Sequence, residues 1–256
     1  MSKELFEQAS KNLYEKMITD GVTGIMQYKP FSDDYWNQNP RIVVCNYENI
    51  GYQDSVLNLL TYEHFETWLD VKKNKIKSKT VHYTAMFASA LKSIIQDFGK
   101  NEIMTYNDLR NFYGKSKELY KSMENIMYMN LRPTSAKGNK QEIRETHKII
   151  KYYKNEMKAY LESLNADIFI LSSKNSVGLW NFIFDIKDNP LVFKKCKRMN
   201  KMMVFSMKHF GRPNYKYWHD KILEIASTWF HDRINWWRPL NVGGTGIWIV
   251  SIVEKR

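Results

Sequence analysis

Arg41-Ile42-Val43-Val44-Cys45-Asn46-Tyr47-Glu48-Asn49-Ile50-Gly51-Tyr52 is the stretch that decides the fold class. Its first half is a short apolar run rich in β-branched residues, entered through Asn39-Pro40. A run without polar alternation predicts a strand covered on both faces, as in a parallel sheet. The second half is polar and carries Glu48, Asn49 and Gly51, so the chain leaves the strand through a loop rather than a hairpin turn. In open α/β sheets, ligands bind in the crevice beyond the carboxyl ends of the strands. The same residues also suit an ordinary surface connection, and the rest of the chain weighs between the two.

Further apolar runs lie at Ile126 to Asn130, at Asp167 to Ser173 and at Lys201 to Met207. Helical periodicity falls at 2–20, 54–70, 81–98 and 104–123, in one long segment over 142–164, at 174–184 and at 217–230. On the first of these, Leu5, Phe6, Ala9, Leu13, Tyr14 and Met17 share a face. Strands alternating with helices predict a three-layer α/β/α domain around a central, mostly parallel, four-stranded sheet. The whole chain, 1–256, reads as one domain. Its segment 54–123 is an expanded helical crossover containing a charged connector at 71–80, and a hairpin is added near 234–256 around Gly243-Gly244.

Composition narrows the function classes. The 256 residues are 43% hydrophobic and 26% charged, the balance of a soluble globular chain. No apolar run approaches the roughly 20 residues of a membrane helix, and the N-terminus is patterned as an amphipathic helix rather than a signal peptide. A cytoplasmic protein without a membrane partner is expected, and a monomer is favoured. Cys45 and Cys196 are the only cysteines, too few for a cysteine-built zinc or iron–sulfur site, so neither metal nor cofactor is expected. A phosphate loop and a G-x-S-x-G elbow are both missing. The net charge of +12, with 8 Trp, 16 Tyr and 13 Phe, favours DNA as partner, single- or double-stranded, since basic grooves and stacking rings together hold unpaired bases.

Parallel strands would bring Glu48 and Asn49, then Asn130, then Ser172 or Ser173, then His209 to one edge of the sheet. In this order the chain resembles the uracil-DNA glycosylase superfamily. Tyr47-Glu48-Asn49-Ile50-Gly51 is similar to its first motif, without the usual leading Gly and the Pro. Met129-Asn130-Leu131-Arg132-Pro133-Thr134 resembles its Asn-bearing strand, and Met203 to Asn214 its His-led last motif, with Phe210-Gly211 where Pro-Ser is usual. The pattern covers roughly residues 36–60 and 125–230.

The resemblance implies a monofunctional glycosylase that flips a uracil-like or modified pyrimidine out of DNA and hydrolyses its N-glycosidic bond, in repair or in defence against foreign DNA. It implies Asn49 as the holder of the attacking water. The chemistry itself asks for a base, for which Glu48 is placed, and a donor to the leaving base, for which His209 is placed. Asn130 carries the donor and acceptor needed to read a base edge. Tyr47, Tyr52 and Ser172 are the other base contacts, and Arg212, Lys208, Asn214 and Arg132 the DNA contacts. Asn49 and Asn130 also suit turn caps, Glu48 a solvated loop, and His209 a structural histidine. A non-catalytic nucleic-acid-binding protein with the same fold is the alternative.

Overall fold

The computed structural model of the chain describes residues 3–47, 49–50, 69–70, 75–76, 79–97, 105–111, 124–136, 143–211 and 214–233. Its strands are β1 (Ile42–Asn46), β2 (Asn49–Ile50), β3 (Leu69–Asp70), β4 (Lys75–Ile76), β5 (Ile126–Asn130), β6 (Ser135–Ala136), β7 (Ile168–Leu171), β8 (Cys196–Met199) and β9 (Met202–Ser206). The helices are α1 (Lys3–Thr19), α2 (Lys79–Asp97), α3 (Tyr106–Asn111), α4 (Ile143–Tyr152), α5 (Lys154–Ser163), α6 (Lys174–Ile183) and α7 (Tyr215–Arg233). A single 3-10 turn, Asp33–Asn37, leads into β1.

β1 is buried at every position because it sits between two parallel neighbours, β5 and β7. β7 continues in parallel to β9, and β8 closes the sheet antiparallel, giving the order β5-β1-β7-β9-β8. The four parallel strands are thus arranged second, first, third, fourth. Chain direction across the sheet reverses between β1 and β7, the kind of switch point at which open α/β sheets hold ligands.

The sheet therefore has five strands rather than the expected four. β8 escapes an apolar-run search because it is a basic edge strand, CKRM, with only alternate positions partly covered. It turns back into β9 through Asn200, whose φ of 53° suits an asparagine in the left-handed region. The expected single helix over 142–164 is likewise two, α4 and α5, parted at Tyr153 (φ −101°, ψ 26°). Hydrogen bonding continues across the bend, Tyr153 N to Ile149 O at 3.0 Å and Met157 N to Tyr153 O at 2.8 Å. The Tyr153 hydroxyl is meanwhile held by the Asp20 carboxylate at 3.0 Å. The connector expected at 71–80 is flanked by the antiparallel pair β3–β4, and α2 begins within it. Leu5, expected on the inner face of α1, is 51% exposed, whereas Phe6, Leu13, Tyr14 and Met17 are buried. The helix expected over 54–70, all but its last two residues, and the C-terminal hairpin lie outside the described residues.

Helices pack on one another in two groups, α1 with α5 and α6 with both α4 and α5, and separately α2 and α3 with α7. One buried cluster runs from Phe6 to Trp229 through both groups and the sheet. Phe169 of β7 meets Trp180 of α6 at 4.5 Å between ring centroids; Phe210 and Tyr83 meet Trp218 of α7 at 5.8 and 5.1 Å. Among the described residues no helix is long and apolar enough to cross a membrane. Phe169 is wholly buried at the centre of the sheet, so Phe169→Ala should lower unfolding stability in urea by about 3–5 kcal/mol. A loss below about 1 kcal/mol would contradict this placement of β7.

Candidate functional site

The carboxyl edge of the sheet ends in aligned polar residues. Asn46 closes β1 in register with Asn130 of β5, and Ser172 follows Leu171, the partner of Cys45. The ladder extends past the strands, Ser172 N to Cys45 O and Met207 N to Leu171 O, each at 2.9 Å. It also joins the two polar segments that follow β1 and β5. Leu131 N reaches Asn46 O at 2.9 Å, Arg132 N reaches Tyr47 O at 3.0 Å, and β2 then pairs in parallel with β6.

Asn46 is 2% exposed, and an unpaired amide there would carry a full desolvation cost. Both of its ends are engaged: Nδ2 donates to the Tyr128 hydroxyl at 2.8 Å, and Oδ1 accepts from the Ser172 hydroxyl. Burial raises the Tyr128 phenol far above its usual range, so the hydroxyl stays protonated. Asn130, 4% exposed, donates from Nδ2 to the Tyr28 hydroxyl at 2.7 Å, and among the described residues nothing donates to its Oδ1.

Beyond β9 the edge is completed by the loop Met207 to Asn214. His209 is exposed, and its Nδ1 accepts the Gly211 N–H at 2.9 Å. In the neutral ring this leaves Nε2 as the N–H donor. Desolvation by the surrounding loop holds the imidazole below its ordinary 6.5, which favours that neutral form. A Cβ at position 211 would lie 2.9 Å from Nδ1, so the close approach requires glycine. Lys208 donates its backbone N–H to the Tyr217 hydroxyl at 3.0 Å and lays its ammonium 5.2 Å from that ring's centroid.

The sequence-predicted residues separate into groups. Asn130, Ser172, Lys208 and His209 do meet at one edge. Ser172, expected to touch a base, is fully buried and bonded to Asn46. Tyr47, expected as a stacking platform, is 3% exposed and packs into the core. Arg132, expected at DNA, is 4% exposed and donates to the hydroxyls of Thr134 at 3.0 Å and Thr146 at 3.3 Å. A guanidinium so covered braces the segment after β5 instead of meeting phosphate. Asn214 is exposed and accepts the Tyr217 N–H at 3.3 Å, a cap on α7. Glu48, Tyr52 and Arg212 lie outside the described residues, as does the side chain of Asn49, whose backbone forms β2. Asn46, Tyr28 and Tyr128 escaped the sequence reading; the available signal was a lone polar residue closing an otherwise apolar strand.

Among the described residues no group of three or more His, Cys, Asp or Glu is placed to hold a metal ion. No protein-family model matches the chain, and no curated protein matches it.

Asn46→Ala would strand the Tyr128 and Ser172 hydroxyls in the core and should cost about 2–4 kcal/mol in urea unfolding. A surface-like loss under about 0.5 kcal/mol would contradict the network. The lowered His209 pKa sets a sign for pH: the unfolded chain takes up the proton first, so stability falls as pH drops below 6.5 and through the folded-state value. His209→Gln should flatten that part of the stability–pH curve, and an unchanged slope would count against it.

Proposed function

We propose that the protein is a DNA glycosylase, a divergent member of the uracil-DNA glycosylase superfamily, acting on a flipped-out uracil-like or modified pyrimidine. The observation that carries the reading is His209, tied by Gly211 into a neutral Nε2–H donor on the same sheet edge as Asn130. With the two helix groups on opposite faces of the sheet, as right-handed crossovers require, the domain is a three-layer α/β/α sandwich whose switch-point crevice receives the base.

The reaction adds water to C1′ of the sugar and breaks the bond from C1′ to the base nitrogen. The bonding pair leaves with the base, so negative charge grows on its carbonyl oxygens while the sugar turns cationic. The Nε2–H of His209 is the donor for that oxygen, and a neutral donor suits an anion that needs stabilising without being fully protonated. Glu48 takes the proton of the attacking water, Asn49 orients that water, and Asn130 reads the base edge. A buried polar reader is favoured over a solvent-exposed one because mismatched partners there cost most.

Charge around this edge fits a polyanion. Lys29, Lys174, Lys208 and Lys216 are exposed beside Tyr28, the start of α6, His209 and the start of α7. The N-termini of α6 and α7 open at the same edge, where their N–H groups favour phosphate.

The test incubates the protein with single- and double-stranded oligonucleotides carrying uracil, mismatched thymine or modified cytosine, followed by alkaline cleavage at abasic sites. Breaks at one base class that fall by about 100-fold or more in His209→Ala support the reading. Tight, salt-sensitive binding with no break at any base would replace it with the non-catalytic nucleic-acid-binding protein.

A further inference from the structure

We propose that Tyr28 is the positioning residue that sets the amide of Asn130, so that the site presents the acceptor Oδ1 and selects pyrimidines with a ring N–H. This inference rests on the glycosylase reading and names its substrate class.

An asparagine amide can face either way, and what decides is its neighbours' hydrogen bonds. The Tyr28 hydroxyl has one proton to give. It lies 3.6 Å from Met26 Sδ, a weak acceptor that takes that proton, and 2.7 Å from Asn130 Nδ2, from which it then accepts. Were the hydroxyl to donate toward Asn130 instead, the amide would turn over and offer Nδ2 to the ligand. Burial keeps the Tyr28 phenol protonated at any ordinary pH.

Tyr28 cannot move to suit a different amide. It is 1% exposed, its N–H donates to the Tyr14 hydroxyl at 3.2 Å, and its carbonyl accepts from the Tyr160 hydroxyl at 2.7 Å. Both partners stand on helices, α1 and α5, that pack on each other. The loop before β1 is thereby pinned at its one residue in contact with Asn130.

The chemical consequence concerns the base. Uracil, thymine and 5-substituted uracils carry N3–H, which pairs with Oδ1. Cytosine and its derivatives carry a lone pair at N3, which would face the lone pairs of Oδ1. A site that must leave a buried polar atom unpaired rejects the wrong ligand far more strongly than one that merely fits it less well.

The experiment measures kcat/KM on oligonucleotides with uracil, thymine or cytosine for the wild type, Tyr28→Phe and Met26→Leu, with melting temperatures and the Asn130 side-chain amide NMR signals for each. Met26→Leu conserves volume and keeps the hydroxyl while removing its acceptor. The preference for N3–H bases over cytosine should fall by about tenfold in Tyr28→Phe, and less in Met26→Leu, with folding retained. The Asn130 Nδ2 protons should shift in both variants. Selectivity unchanged in both, with a working wild-type enzyme, overturns the proposal and leaves the glycosylase reading standing. A wild type that cleaves at no base defeats that reading and base selection with it; unshifted Asn130 signals would then remove the Tyr28 contact as well.

Discussion

Everything at the proposed site depends on how the central strand ends. β1 is buried on both faces and paired on both edges, so its last side chain, Asn46, meets protein rather than water. An amide there must find a donor and an acceptor, and it finds them on the two neighbouring strands, Tyr128 on β5 and Ser172 just past β7. The three strand ends are locked in register by that pair of bonds. The next residues, Asn130 and the Met207–Asn214 loop, inherit fixed positions as a result. Satisfying one buried amide and building a rigid crevice are the same structural act.

The second constraint comes from the tyrosines. Tyr14, Tyr28 and Tyr160 are all buried, and each hydroxyl is bonded to a neighbouring chain segment. Rings of this size supply much of the core's apolar area, and their hydroxyls supply the links between α1, the loop before β1 and α5. The high aromatic content noted in the sequence is thus spent largely on the core behind the crevice. Tyr47 belongs to this group too, packed inward where a stacking role had seemed open.

The fold class was legible because four apolar runs without polar alternation can only be strands covered on both faces. β8 was not, since an edge strand with basic, half-covered residues reads as a charged loop. The bend at Tyr153 left no trace because its backbone carries neither Pro nor Gly, and the cause lies in tertiary contacts such as Asp20. At the site, Asn130 and His209 were legible as polar residues at strand ends. Asn46 was not, because at the close of an apolar run it read as the first residue of a loop. Arg132 misled for a related reason: an arginine beside Pro133 looks exposed until the ladder from Arg132 N to Tyr47 O and the hydroxyls of Thr134 and Thr146 are seen to enclose it.

The most direct test of the account is a crystal structure of the protein with a DNA strand carrying pseudouridine, whose carbon–carbon glycosidic bond resists hydrolysis. The account predicts the base lodged beyond the ends of β1 and β7, with its N3–H on Asn130 Oδ1 and a carbonyl facing His209 Nε2. A base bound elsewhere, or DNA crossing the surface with every base outside this crevice, would contradict it.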